Sequence, residues 1–158
     1  KNAMLAHKFK DRMHTLPLDD EGNFTAPVYI QPKLNGIRCE SRKTSDTVLD
    51  FLSRTNKLFT SFPHLVQDCL NVLEVDKSLD SELFNPNILF EHIASMVNGE
   101  SDREIRDEAG NVLHTLSEIK LYTYDLMGYD DLTFTERLAV LKELSKKFSS
   151  NISLNKGV

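Results

Sequence analysis

Cysteine is scarce in this chain, which contains only Cys39 and Cys69, and tryptophan is absent. Two cysteines are too few for the disulfide framework of a small secreted domain. Neither the cysteines nor the five histidines show the close paired spacing of zinc ligands. We therefore predict that both cysteines are small core residues and that the chain holds no structural zinc.

Long apolar runs are also missing. No stretch approaches the ~18 consecutive apolar residues of a membrane-spanning helix, and the first residues lack the charged-then-apolar order of a secretory signal peptide. The sequence therefore predicts a soluble, cytoplasmic protein. Its hydrophobic residues, 40% of the total, are enough for the core of one domain over residues 1–158.

Positive charge is in deficit, since the formal net charge is −5 and the sequence pI is about 5.5. Overall attraction cannot explain binding to a polynucleotide, so any contact with nucleic acid must use a local basic patch. This charge balance disfavours a protein whose whole role is to bind DNA.

The segment around Lys33 carries the clearest functional signal. Residues 31–38 read Q-P-K-L-N-G-I-R, between a β-branched and aromatic run at 28–30 and an alternating run that begins at Ile37. Asn35-Gly36 favours a type I′ turn, because both central residues of that turn need positive φ. The pattern predicts a hairpin with Lys33 beside its tip.

Two interpretations of Lys33 are open. It is either a solvated lysine beside a turn or a nucleophile toward phosphorus. With a reference pKa of about 10.4, a lysine amine is almost wholly protonated at pH 7, so a nucleophilic role needs help from its surroundings. Desolvation, a neighbouring cation or a bound metal would provide that help.

The string K-L-N-G-I-R resembles the KxDGxR signature of the covalent nucleotidyltransferases, which include ATP-dependent DNA ligases, RNA ligases and mRNA-capping guanylyltransferases. Asn35 departs from this signature, which has aspartate at that position. The exchange removes a negative charge and part of the acceptor capacity, so it would alter the hydrogen bonding of the turn and the protonation of Lys33.

Residues 47–54 have the composition of a strand, followed by a turn at 55–57. Ser53-Arg54 resembles the family's serine-arginine pair, whose arginine helps to manage the phosphates and the nicked strand. The planar fork of an arginine suits phosphate oxygens. The alternative is a rim arginine paired with Asp50 or Glu40.

Glu91 is a second candidate. We predict a helix that begins at Pro63, a connection over residues 74–86, and a buried strand that begins at 88–90. A carboxylate after that strand must reach solvent or find a donor such as a ribose hydroxyl. Glu91 resembles the family's strand-end glutamate, usually written DGE, although Leu89 and Phe90 depart from that element.

Residues 98–114 are charged and predict a solvated excursion with a turn at 107–111, and residues 119–126 predict a strand with Tyr122 and Tyr124 on one face. Either tyrosine could stack on a purine or pack in the core. The strand resembles the family's FxxFD element, and this resemblance selects Tyr124 as the adenine-stacking residue. Thr133 then begins a capping box and a structural helix.

The order of these motifs resembles the ATP-dependent DNA ligase family, in a virus-like or phage-like member, over about residues 3–145. It includes Met4-Leu5-Ala6, which resembles the family's PMLA segment. The resemblance implies an α+β fold: antiparallel-rich β-sheets flanked by helices, forming part of a nucleotidyltransferase (ATP-grasp-like) adenylation domain. The family's EGxV strand, its KxK lysine pair and its OB-fold domain have no counterpart in the chain.

The resemblance also implies a function. Lys33 would attack ATP with Mg²⁺ present, and AMP would pass to a 5′-phosphate at a nick in double-stranded DNA, which a monomeric enzyme then seals. No metal ligand of the chain is implied. The implied nucleotide-binding residues are Gln31, Leu34, Arg38, Arg54, Glu91 and Tyr124. Two alternatives stay open: an RNA ligase or capping-type enzyme, and an inactive nucleotide-binding module.

Overall fold

The computed structural model describes residues 9–60, 62–99 and 103–156, so the Met4-Leu5-Ala6 segment lies outside the described residues. The helices are α1 (Phe9–Arg12), α2 (Pro63–Val72), α3 (Phe90–Asn98) and α4 (Phe134–Ser145), with short 3-10 turns at Met13–Thr15 and Leu116–Glu118. The strands are β1 (Ile37–Lys43), β2 (Leu49–Leu52), β3 (Ser78–Phe84), β4 (Glu104–Arg106), β5 (Val112–Thr115), β6 (Lys120–Met127) and β7 (Ile152–Leu154).

A five-stranded sheet in the order β2-β1-β3-β6-β7 organises the fold. Adjacent strands of this sheet pair antiparallel, except for β6 and β7, which are parallel. The strands β4 and β5 form a separate two-stranded sheet. The predicted α+β fold with an antiparallel-rich sheet and flanking helices is confirmed. No helix among the described residues is both long enough and apolar enough to cross a membrane.

The two faces of the sheet differ because side chains alternate along each strand. One face is apolar and forms the core with α2 and α3. Its buried side chains include Cys39, Leu79, Leu83, Leu121, Leu65, Cys69, Ile93 and Met96. Both cysteines are fully buried, which confirms their prediction as small core residues.

The other face of the sheet carries polar and charged side chains at alternate positions of β1 and β3. They are Arg38, Glu40, Arg42, Ser78, Asp80 and Glu82. Burial of charge on this face is compensated by pairing, as described below.

Two predicted helices are confirmed. Pro63 begins α2, where its missing N–H costs no hydrogen bond, and Leu65 and Cys69 bury one face of the helix. Thr133 caps α4: its side chain accepts a hydrogen bond from the Glu136 backbone N–H, and the Glu136 carboxylate accepts from the Thr133 N–H. The helix α4 packs against β6 and β7.

The predicted hairpin at Asn35-Gly36 is wrong. Residues 28–34 form no strand, and β1 pairs instead with β2 and β3. Neither Asn35 nor Gly36 has a positive φ, so no type I′ turn forms. Gly36 is suited to this position for another reason, namely its close approach to β3.

The connection predicted over residues 74–86 is also wrong, because it contains the central strand β3. The strand predicted at 88–90 is wrong as well, since Phe90 begins α3. The acidic residues at 74–86 suggested a solvated loop, whereas those of β3 lie on the polar face of a sheet. At 88–90 a short apolar run suggested a buried strand, although it leads into the helix α3. The turn predicted at 107–111 is confirmed, and it joins β4 to β5.

Candidate active site

A cavity of about 1070 Å³ lies over the polar face of β1, β3 and β6. Small-molecule sites typically measure roughly 300–1,000 Å³, so the cavity is large enough for a nucleotide. Five of the seven residues proposed from sequence line it, namely Gln31, Lys33, Leu34, Arg38 and Tyr124. The structure therefore brings together residues from the Lys33 segment, β1 and β6.

Side-chain hydrogen bonds attach the Lys33 segment to the sheet. Gln31 Nε2 donates to the backbone oxygen of Tyr124 at 3.2 Å, and Asn155 Nδ2 donates to the backbone oxygen of Pro32 at 3.1 Å. Lys33 itself is exposed toward the cavity, and no salt bridge to it forms among the described residues. Its amine is therefore accessible to a ligand.

Gly36 lies directly against β3. A Cβ atom at this position would overlap the Leu83 backbone oxygen and lie only 2.8 Å from Glu82 Cγ, which is closer than non-bonded atoms approach. The Gly36 N–H also donates a hydrogen bond to the Glu82 carboxylate. The glycine thus allows the chain to cross close to β3 just after Lys33.

We expect Gly36→Ala to destabilise the fold by about 1–3 kcal/mol, the usual range for overpacking, and to weaken nucleotide binding. Gly110→Ala is the control, because its Cβ meets no atom within 4 Å and bears only the cost of a left-handed backbone. Urea unfolding and nucleotide titration of both variants test this. Unchanged nucleotide affinity in Gly36→Ala would contradict the expectation.

Arg38 of β1 and Asp80 of β3 form a bidentate ion pair. Arg38 Nε donates to Asp80 Oδ1 at 2.9 Å, and Nη2 donates to Oδ2. The side chains are 21% and 7% exposed. Burial raises the pKa of Asp80 above its ordinary value, and the bonds from Arg38 offset part of this effect.

Tyr124 reaches the cavity because of a bulge in β6. Asp80 pairs with Asp125 while Ser81 pairs with Thr123, which leaves Tyr124 as the extra residue. Bulges redirect side chains and are common beside active sites. Both Tyr124 and Asp125 consequently line the cavity.

The Tyr124 ring is also held by its neighbours. The Arg38 guanidinium carbon lies 5.6 Å from the ring centroid, and the hydroxyl forms a hydrogen bond with Asp80. Burial raises the pKa of Tyr124 above its ordinary value, so the hydroxyl stays protonated. Arg38, Asp80 and Tyr124 form one connected cluster in the wall of the cavity.

Glu82 is a residue that the sequence interpretation missed. It lies on β3 opposite Arg38, lines the cavity, and its carboxylate faces both Arg38 and Lys33. Burial raises the pKa of Glu82 above its ordinary value. The signal was present, since Asp80-Ser81-Glu82 matches the Asp-Gly-Glu element at two of its three positions.

Glu91 does not reach the cavity. It lies in the first turn of α3 with an exposed side chain, so its predicted place at the end of a strand is wrong. Arg54 is also outside the cavity lining. It follows β2 in an exposed turn, two positions before Asn56, whose φ is 60°.

Two further ion pairs occupy the polar face. Arg137 of α4 donates to both oxygens of Asp125 at 2.9 Å. Arg42 donates to Glu40, which also accepts from Ser78 Oγ at 2.7 Å. These carboxylates are therefore paired with arginine side chains. Within the described ranges, no group of three or more His, Cys, Asp or Glu side chains is arranged to hold a metal ion.

No protein-family model and no curated protein matches the chain. Several solved structures match in fold. One named Pmar-Lig_PreS3 is 20% identical over 98% of this chain and 34% of its own, with a TM-score of 0.72. A structure from a study of Lig E DNA ligases is 18% identical over 82% of this chain and 44% of its own, with a TM-score of 0.56.

The ATP-dependent DNA ligase of bacteriophage T7, solved in complex with ATP, is 15% identical over 82% of this chain and 48% of its own, with a TM-score of 0.51. The chain spans about a third of the length of the first two structures that it matches, 34% and 30%. These similarities show that the chain has the nucleotidyltransferase-domain fold found in ATP-dependent DNA ligases.

Proposed function

We propose that this chain is part of the adenylation domain of an ATP-dependent DNA ligase. The observation that supports the proposal best is that Lys33, Arg38, Glu82 and Tyr124 line one cavity on the polar face of the sheet. These residue types are the ones needed to attack a phosphorus, bind a ribose and stack on a base. In this proposal residues 1–158 belong to one domain, and the sealing of DNA is an activity of a protein longer than this chain.

The first step is attack by the neutral amine of Lys33 on the α-phosphorus of ATP. A nitrogen–phosphorus bond forms, the bond from the α-phosphorus to the oxygen that bridges it to the β-phosphorus breaks, and pyrophosphate leaves. The nitrogen releases its proton to solvent, which yields a lysine linked to AMP. Access to Lys33 from the cavity supports its role as the nucleophile.

Other residues of the cavity would position the nucleotide. Tyr124 stacks on adenine, while Arg38 and Glu82 bind the ribose hydroxyls. Glu82 takes the role that the sequence assigned to Glu91, because Glu82 lines the cavity and Glu91 does not. Gln31 Nε2 is bonded to the Tyr124 backbone oxygen, so its Oε1 is the atom available to accept from the adenine amino group.

Magnesium fits this site as an ion bound by the phosphates of the nucleotide and by water, rather than by several carboxylates of the protein. Asp80, Asp125 and Glu40 are each bonded to an arginine, and Mg²⁺ commonly binds through substrate phosphates and water. Once bound, the ion would neutralise negative charge on the phosphates. Leu34 contributes an apolar contact with the nucleotide at the rim of the cavity.

The later steps concern DNA. AMP passes from Lys33 to the 5′-phosphate at a nick, which gives a phosphate anhydride, and the 3′-hydroxyl then displaces AMP and closes the strand. In this proposal Arg54, exposed in the turn after β2, contacts a backbone phosphate of the nicked duplex. Its exposure outside the cavity lining supports a contact with DNA rather than with the nucleotide.

Incubation with ATP and Mg²⁺ tests the proposal. We expect intact-mass spectrometry to show one added AMP, in an acid-labile and alkali-stable linkage typical of a phosphoramidate. The protein that contains this chain is then offered nicked DNA and nicked RNA. Sealing of RNA alone would favour the RNA ligase alternative, and ATP binding without an adduct would favour an inactive nucleotide-binding module.

A further inference from the structure

Asn155 connects the end of β7 to the Lys33 segment. It is 6% exposed, and its Nδ2 donates a 3.1 Å hydrogen bond to the backbone oxygen of Pro32, 123 positions earlier in the chain. Its own N–H donates to the backbone oxygen of Thr123 at 2.7 Å, which fixes the asparagine to β6. A buried amide therefore restrains the peptide group that joins Pro32 to Lys33.

The backbone around Lys33 has little other support. Residues 28–34 belong to no helix or strand, and no backbone-to-backbone hydrogen bond within the described part of the chain involves them. The Gln31 bond to β6 holds the far end of a side chain, whereas the Asn155 bond holds the main chain next to Lys33. Among the described residues, the Asn155 bond is thus the hydrogen bond that acts on the main chain directly beside Lys33.

We propose that Asn155 is a positioning residue that holds Lys33 in line with the α-phosphorus of the bound nucleotide. This inference rests on the proposed function of Lys33. Asn155 borders the cavity, and its bond reaches the peptide carbonyl rather than the amine, so it acts through the backbone. A misplacement of about 1 Å at a reacting group can cost roughly 100-fold in rate.

Single-turnover formation of the AMP adduct at saturating ATP is the test. We expect Asn155→Ala to slow this step about 10- to 100-fold, with the affinity for ATP changed less than threefold, because Arg38 and Tyr124 remain in place. Asn155→Asp keeps the size of the side chain and removes the donor, so its adduct formation should be slowed at least as much. A purely structural role would lower stability without this division between rate and affinity.

Asn151 provides a matched control. It lies just before the same strand, and its Nδ2 donates to the His64 backbone oxygen at 3.2 Å and to Asp68 Oδ2 at 2.9 Å. Asn151 does not line the cavity. We expect Asn151→Ala to lower the melting temperature but to form adduct within about twofold of the wild-type rate, since its bonds do not reach the Lys33 segment.

Tryptic cleavage of the folded protein after Lys33 separates the two proposals, because cleavage there requires the backbone around Lys33 to move. Faster cleavage in the Asn155 variants, but not in Asn151→Ala, supports the inference whether or not adduct forms. A wild-type protein that forms no adduct would refute the proposed function alone. Cleavage after Lys33 at the wild-type rate in the Asn155 variants would overturn the role of Asn155, as would, where the wild type forms adduct, an equal adduct rate in Asn155→Ala.

Discussion

Lys33→Ala is expected to abolish the covalent AMP adduct completely. A phosphoramidate forms on a neutral amine, and Lys33 is the lysine that lines the cavity, where the arginines stay protonated. Intact-mass spectrometry after incubation with ATP and Mg²⁺ measures the effect. An adduct that survives the substitution would refute the assignment of the nucleophile.

Two comparisons sharpen this experiment. Lys33→Arg keeps the positive charge but supplies no neutral amine at accessible pH, so we expect ATP to bind and no adduct to form. Lys146→Ala removes an exposed lysine at the end of α4 that pairs with Glu143, and it should form adduct at the wild-type rate. Together these variants distinguish the loss of the nucleophilic amine at position 33 from the loss of its positive charge and from the loss of a lysine elsewhere on the surface.

Removal of Arg38 is expected to destabilise the fold by about 3 kcal/mol at neutral pH. The loss would leave Asp80, 7% exposed, as an unpaired buried carboxylate. Arg38→Leu is the preferred substitution, because leucine retains part of the packing volume. Urea unfolding measures the free energy, and ATP binding should weaken in parallel since Arg38 is proposed to hold the ribose.

The pH dependence of this effect has a defined sign. Burial already raises the pKa of Asp80, and loss of the bonds from Arg38 raises that pKa further. A carboxyl with a raised folded-state pKa stabilises the fold when protonated, and this contribution is lost as pH rises through that pKa. The difference in unfolding free energy between wild type and Arg38→Leu should therefore be smaller at about pH 4 than at pH 7.

The double variant Arg38→Leu with Asp80→Asn is the control for buried charge. It removes the unpaired carboxylate, so we expect it to regain part of the stability lost in Arg38→Leu. Its ATP binding should stay weak, because the guanidinium is still absent. Equal stability of the single and double variants would contradict burial of an unpaired Asp80 as the cause.

Elements whose sequences carry their own boundary signals were predictable. Pro63 begins α2 and Thr133 caps α4, and each acts on groups within the first turn of its helix. The strand β6 was also recognisable, because Tyr122, Thr123 and Tyr124 are residue types that are enriched in strands. Local chemistry decides these cases.

The central strand β3 was not predictable in the same way. Its Asp80 and Glu82 suggest solvent until their partner is known, and that partner is Arg38, 42 positions from Asp80. Gly36 likewise indicated a turn, whereas glycine is needed there because a Cβ atom would meet the backbone of Leu83. Such features depend on contacts between distant segments, which periodicity does not contain.

The site itself was predictable in part. The motif pattern placed Lys33, Arg38 and Tyr124 as candidates, and all three line one cavity. Asn155 belongs to no recognisable sequence motif, because its contribution to the site is a single hydrogen bond to a peptide group far away in the sequence. Glu82 could have been found from the Asp-Ser-Glu string, had β3 been recognised as a strand.

The parallel pairing of β7 with β6 has a consequence for synthesis on the ribosome. The strand from Ile152 to Leu154 can add to the sheet only after the whole helix α4 has emerged, and the bond from Asn155 to Pro32 can form only after that. A nascent chain can therefore form β1, β3 and β6 before Asn155 restrains the backbone beside Lys33. If Lys33 is the proposed nucleophile, its reaction with ATP would reach full rate only once the polypeptide has been made past position 155.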